Sequence, residues 1–296
     1  MNIHENSISI QLQGLLKECE IKISQQLNQV DNPILQELFT YHLASGGGRN
    51  RAKLALYSGC AVNLAKKDTL AIAAACEMIH NASLLHDDIQ DGDTHRRGRE
   101  AAWSRFSIND AMCAGTLMLS AAYASVSEAP LATAKLVQHV HDRTAQLISG
   151  QVFDLNHDNQ QSNLDQYLKI AIQKSGSLMA LPLELVMIAS GNHASVLAAR
   201  QAGESFAVAY QIFDDLQDQH KDLVNDSCNI VCVLEASGIS RQSAELQAVL
   251  LVEFYTQKAL EQSQSLPNNS GQLLGEMCHQ LSNALTPFTA QEAMQA

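Results

Sequence analysis

Apolar residues recur at three- and four-residue spacing along almost the whole chain, the period of an amphipathic helix. No alternating stretch of useful length marks a strand. Asp31-Asn32-Pro33 is a helix start, a capping side chain followed by proline in the first turn. That helix should run to Ala44 and stop at Ser45-Gly46-Gly47-Gly48. A second begins near Asp68 and reaches toward Asp91, with Ile72, Cys76, Ile79 and Ser83 on one stripe. The same reading predicts helices at about 107–125, 131–155, 164–174, 177–190, 193–219, 228–237, 240–263 and 270–284. No linker divides the chain. Residues 1–296 therefore read as one all-α domain, a helical bundle, with the residues from Thr286 on a loose tail.

Composition agrees. Only 5 Pro and 15 Gly occur in 296 residues, and 46% of the residues are hydrophobic, which excludes disorder and supplies a sizeable core. The net charge of −12 excludes nucleic acid as the main partner, since phosphate backbones need a basic face. Seven cysteines without repeating spacing read as free buried thiols rather than a disulfide framework. The N-terminus lacks a signal-peptide pattern, and no run of about 18 apolar residues predicts a membrane span. A cytoplasmic location is the resulting expectation.

One short motif changes the picture. DDxxD occurs at Asp87-Asp88-Ile89-Gln90-Asp91 and again at Asp214-Asp215-Leu216-Gln217-Asp218. Chance at an average Asp frequency accounts for one copy far more readily than for two. Residues i and i+4 share a helix face, so Asp87 points with Asp91 and Asp214 with Asp218. Converging carboxylates repel one another unless hard cations join them, and Mg²⁺ binds through a few carboxylates together with substrate phosphates. The alternative is a solvated acidic helix end. Both copies, however, close long apolar segments, LLHDD and YQIFDD.

Basic residues cluster nearby. Arg96, Arg97, Arg99 and Arg105 fall within ten positions, and a guanidinium fork suits a phosphate. A solvated basic loop is the plainer alternative. Arg49 and Arg51 follow the glycines of GGGRNR, which either let backbone amides approach an anion or merely end a helix. His80 lies almost two turns before Asp87 and faces the same side, as a ligand contact or a core histidine. Lys174 in KSG could reach a phosphate, and Gln211 stands one turn before the second motif.

Together these segments resemble the trans-isoprenyl diphosphate synthase family, the polyprenyl synthetases, over about residues 40–235. GGGRNR is similar to the family's GGKRxRP, EMIHNASLLHDDIQDGDTHRRGR to its first aspartate-rich region, ISGQVFDL to GQxxDL, KSG to KTG, and YQIFDDLQD to FQxxDDxxD. The resemblance implies a helical bundle around a deep apolar cavity, assembled as a homodimer. It also implies Mg²⁺-dependent ionisation of an allylic prenyl diphosphate and condensation with isopentenyl diphosphate. By that likeness Asp87 and Asp91 hold metal from one side and Asp214 from the other, with Asp88, Asp215 and Asp218 in support. Arg96 and Lys174 bind the allylic diphosphate, while Arg51, Arg97 and His80, with Arg49 beside them, bind isopentenyl diphosphate. Gln211 lines the reacting end. Ala82 and Ser83 stand where family members making short products carry bulky aromatics, which suggests a product of C20 or longer. Met112, Met118 and Tyr123 are then a possible floor, or ordinary core.

The chain departs from the family pattern at several points. Gly48 stands for Lys, Ala52 for Pro, Thr116 for a common Asp and Ser175 for Thr. The segment after Asp218 is short, with Lys221 as a substitute for a missing loop lysine. Two alternatives stay open: a class I terpene cyclase or a prenyltransferase with a different acceptor, and a non-catalytic partner subunit.

Overall fold

The computed structural model describes residues 3–129, 133–156, 163–225 and 229–293. Helices carry nearly all of it, and strands are limited among the described residues to one two-residue pair. The chain sorts into two compact units. One runs to His141 and includes Leu185–His193; the other comprises Asp142–Glu184 and the chain from Ala194 on.

The first unit contains α1 (Ile3–Leu27), α2 (Pro33–Leu43), α3 (Asn50–Ala61) and α4 (Lys66–Gln90). The pair β1 (His95–Arg96) and β2 (Arg99–Glu100) follows, then α5 (Ala102–Arg105), α6 (Ile108–Ser127) and the first part of α7 (Thr133–Leu155). Asn32 caps α2 as its sequence predicts, its side chain accepting from the amides of Ile34 and Leu35, with Pro33 at the first position. The centre of this unit is α4, which packs mainly on α6 and α3. Every residue from Ala71 to Ile79 is buried, so the predicted stripe is only part of a helix enclosed on all sides. Small residues make this possible: Ala71, Ala73, Ala74 and Ala75 on α4 and Ala111, Ala114 and Ala122 on α6 are all fully buried. Helices α1 and α3 lie in stretches for which the periodicity gave no bounded helix.

The second unit holds the rest of α7, α8 (Leu164–Ala171) and a π-helical turn at Ile172–Gly176. It continues through most of α9 (Ser177–Ala189), α10 (Val196–Asn225), α11 (Ile230–Ala236), α12 (Arg241–Gln264) and α13 (Gln272–Ala293). Asn163 and Gln166 form a reciprocal capping box at the start of α8. Helix α10 packs on α12, and α12 on α13. Arg143 of α7 is buried in an ion-pair network. It donates to Glu184 through Nε and Nη2, both at 2.7 Å, and to Glu204 at 2.9 Å, while Arg200 reaches Glu184 at 2.8 Å. Burial works against the Arg143 charge, yet the bonds to Glu184 and Glu204 outweigh it and raise the pKa.

Helix α13 continues through Pro287 to Ala293. Tertiary contact overrides the proline penalty, since Phe288 meets Phe213 edge-on with ring centroids 6.0 Å apart. Among the described residues no cysteine forms a disulfide, with Cys19, Cys76 and Cys278 buried but Cys60 and Cys113 exposed; Cys228 lies outside the described residues. Among those residues no helix is long and apolar enough to cross a membrane.

Candidate active site

Helix α4 delivers the first aspartate motif. Its backbone remains helical through the end, with the Asp91 amide donating to the Asp87 carbonyl at 2.8 Å. Asp87 and Asp91 therefore sit one turn apart on the same face, Asp87 half-buried and Asp91 exposed. Asp88 turns the other way and is buried. Its Oδ1 accepts from Arg96 Nε at 2.7 Å and from Arg96 Nη2, while Oδ2 is buried without a hydrogen-bond partner. Burial raises the Asp88 pKa despite the opposing pull of Arg96. Arg96 is thus committed to the motif's middle carboxylate.

The basic segment after α4 forms a hairpin, with His95 paired to Glu100 and Arg96 to Arg99. Its two central residues, Arg97 (φ 54) and Gly98 (φ 74), both lie in the left-handed region, the requirement of a type I′ turn. Arg97 Nη1 donates to the Gly46 carbonyl. Gly47 (φ 114) leaves the space that the Arg97 guanidinium occupies, since a Cβ there would collide with it. The glycine run therefore ends α2 and also seats an arginine from the hairpin.

Arg49 lies in the same place. It donates to Gly46 O at 2.9 Å and Leu43 O at 2.7 Å, and it approaches Glu20 at 3.3 Å and Glu77 at 3.8 Å. Arg51 Nε is buried with no hydrogen-bond partner. Burial lowers its pKa and the Glu77 carboxylate works against that. His80 is held neutral, its pKa well below the ordinary 6.5, first by burial and then by Arg51 and Arg97. His42 behaves alike, lowered to about 4 by burial and Arg97. The structure thus places Arg49, Arg51 and Arg97 near Glu77 and His80 near Arg51 and Arg97, with Ala82 buried and Ser83 half-buried further along α4. Met118 is buried, whereas Met112 is exposed.

Helix α10 delivers the second motif in the other unit. Asp214 is exposed, Asp218 half-buried, and the two again lie one turn apart. Asp215 is buried and fully engaged. It accepts from Tyr167 Oη at 2.7 Å, the Ile230 amide at 2.8 Å and Gln211 Nε2 at 3.0 Å, and its carbonyl accepts from Asn229 Nδ2 at 2.9 Å. Gln211 also accepts from Ser175 Oγ at 3.4 Å. Lys174 sits in the π-helical turn and pairs with Asp154 of ISGQVFDL. Gly150 of that segment lets α7 touch the turn, because a Cβ would press on the Lys174 amide and on Gln173. The Lys221 side chain lies outside the described residues.

Both motifs divide the same way: the middle carboxylate is built into the protein and the outer pair stays accessible. Oxygen donors paired at one-turn spacing fit magnesium. Among the described residues no three His, Cys, Asp or Glu side chains converge into a metal site of their own. An ion held by Asp87 and Asp91, or by Asp214 and Asp218, would complete its shell with water or substrate oxygens.

Several contributors escaped the sequence reading. Glu77 had a signal, a lone acid in the apolar run AAACEMI. Tyr167 and Asn229 had none, because their partner Asp215 is 48 and 14 residues away.

Comparison with known proteins gives these features a context. The chain is 30% identical over 218 residues to a (2E,6E)-farnesyl diphosphate synthase of Mycobacterium bovis, covering 69% of this chain and 60% of that one. It is 28% identical over 195 residues to the octaprenyl diphosphate synthase of Haemophilus influenzae, 65% of this chain and 58% of the relative. The chain thus spans less than two thirds of the length of these curated relatives. A decaprenyl diphosphate synthase from Rhodobacter capsulatus has the same fold, with a TM-score of 0.86 over 95% of this chain and 99% of that one at 18% identity. The sequence model of the polyprenyl synthetase family matches residues 32–227, which hold both aspartate motifs, the glycine–arginine segment and the hairpin, and the chain belongs to that family.

Proposed function

We propose that this protein is a Mg²⁺-dependent trans-prenyltransferase. It ionises an allylic prenyl diphosphate and joins it to isopentenyl diphosphate, giving a trans-polyprenyl diphosphate of C20 or longer. The observation that carries the reading is the shared division of the two DDxxD motifs, an accessible pair above a carboxylate locked into the fold. Magnesium, when bound, supplies positive charge against the departing diphosphate. Asp87 with Asp91, and Asp214 with Asp218, would each be a pair of ligands for such an ion. Lys174 adds a cation once it exchanges Asp154 for phosphate, and Arg96 keeps Asp88 in place at the allylic side. Such charges count most where negative charge grows, at bond cleavage. Arg51, Arg97 and neutral His80 receive isopentenyl diphosphate, with Arg49 tying down the loop beneath. His80, uncharged, donates or accepts a hydrogen bond without adding to the guanidinium repulsion. Gln211 faces the reacting end, and the small Ala82 and Ser83 leave room for a long chain. A homodimer in the cytoplasm belongs to the same proposal.

The test is incubation with Mg²⁺ and geranyl, farnesyl or geranylgeranyl diphosphate, each with and without isopentenyl diphosphate, with products identified by mass. A longer diphosphate formed only with both substrates supports the proposal. The departures at Gly48 and in the short segment after Asp218 favour a second reading, a cyclase or a prenyltransferase with another acceptor. A hydrocarbon or alcohol from the allylic substrate alone would establish it. Absence of turnover and of metal-dependent binding would leave a non-catalytic partner subunit.

A further inference from the structure

We infer that Glu77 is a positioning residue for the acceptor half-site: its buried carboxylate ties the start of α3 to α4 and fixes the direction of the Arg49 and Arg51 guanidinium groups. The inference rests on the proposed reading of the arginine cluster as the isopentenyl diphosphate site.

Helix α3 begins without a cap of its own. Its N-cap residue, Arg49, is in the left-handed region (φ 49) and makes no side-chain cap hydrogen bond. The exposed amides of a first turn need an acceptor. Glu77 supplies one from the neighbouring helix, with Oε2 accepting from the Ala52 amide at 3.3 Å. This bond exists because position 52 departs from the family's proline and so has an N–H to give. Glu77 Oε1 accepts from Asn81 Nδ2 at 3.3 Å, and Asn81 also reaches the Glu77 carbonyl at 2.7 Å. His42 of α2 lies close to Asn81. The carboxylate, only 2% exposed, is therefore held by partners on α3 and α4 and faces Arg49 at 3.8 Å. Arg51, one residue before the anchored amide, keeps a buried Nε without a partner. Its orientation follows from where α3 starts, and Glu77 sets that start.

The charge of Glu77 makes the sign of the test informative. As a mere counter-charge it would weaken anion binding, and Glu77→Gln would strengthen it. As a positioning group it must keep acceptors toward the Ala52 amide and Arg49. The glutamine amide would turn a donor toward one of those donors and misdirect the site. Steady-state kinetics of Glu77→Gln should therefore show KM for isopentenyl diphosphate raised about 10-fold or more, kcat within about 3-fold and KM for farnesyl diphosphate unchanged. Glu77→Asp, which restores the charge, should recover part of the loss. An unchanged or lowered KM for isopentenyl diphosphate in Glu77→Gln overturns the inference. Arg51→Gln is the control. If it too leaves that KM unchanged, the reading of the cluster as the acceptor site has failed; if it alone raises KM, only the role of Glu77 has. Should Glu77→Gln not fold, Asn81→Leu removes the second anchor with the carboxylate intact. A folded Asn81→Leu protein with normal KM values overturns the inference equally.

Discussion

Replacing Asp215 by Asn should separate architecture from chemistry in the second aspartate motif. The side chain is buried and accepts three hydrogen bonds, from Tyr167 Oη, the Ile230 amide and Gln211 Nε2 at 2.7, 2.8 and 3.0 Å. A bond to an ionised acceptor contributes about 1.5–3 kcal/mol. Asparagine can keep its oxygen where Oδ2 stands, which retains the Tyr167 and Ile230 bonds without their charge, and turns an NH₂ group toward Gln211, so one bond is lost and two are weakened. The net cost is about 3 kcal/mol, which for a chain of this size corresponds to a fall in Tm of about 6 °C. Asp214→Asn, on an exposed side chain of the same helix turn, should change stability by less than about 0.5 kcal/mol. Yet it should reduce Mg²⁺-dependent turnover by about 100-fold or more. Thermal unfolding and product formation, measured on both variants, give the two axes. If Asp215→Asn melts like the parent while Asp214→Asn is the destabilised one, the division of the motif into a structural and a ligating part is wrong.

Three further outcomes are expected. Chelation of divalent metal should abolish turnover, and Mg²⁺ with inorganic pyrophosphate should raise the Tm more than either alone; equal shifts without metal would contradict the bridging role of the outer carboxylates. His42 has its pKa lowered from 6.5 to about 4, so the folded protein binds fewer protons than the unfolded chain between those values. Its contribution is full above about pH 6.5 and is lost as pH falls through about 4, up to about 3 kcal/mol; His42→Leu should flatten that part of the stability profile, and an unchanged profile would refute the assignment. Gly47→Ala should destabilise by about 1–2 kcal/mol through its φ of 114° and the clash with Arg97, with a raised KM for isopentenyl diphosphate; a neutral result would mean that Arg97 does not need that seat.

Local signals in the sequence carried the all-helical class, most helix positions and the acidic pairs. The cap at Asn32 and the one-turn spacing of Asp87 and Asp91 depend only on neighbours in the chain, so they could be read directly. Helix α3 was missed because its first turn is capped from another helix by Glu77, a contact 25 residues away. At the end of α13, Pro287 is a local stop signal, whereas the Phe288–Phe213 contact beside it is not local. Likewise, sequence spacing could not show that Asp88 and Asp215 turn inward, or that Lys174 rests on Asp154. Those outcomes depend on Arg96, Tyr167 and the close approach at Gly150, each supplied by a separate element.

Helix α4 carries Glu77 and Asp87 on one continuous rod, enclosed by neighbours from Ala71 to Ile79. Ten residues at a rise of about 1.5 Å each separate the two by about 15 Å. Such a rod works as a ruler: the interval is written in residue count and has no hinge to adjust it. Inserting or deleting one residue between positions 78 and 86 would rotate the acidic end by about 100° relative to Glu77. Point substitutions along this stretch can therefore tune the walls of the site, while any change in length would put its two ends out of phase.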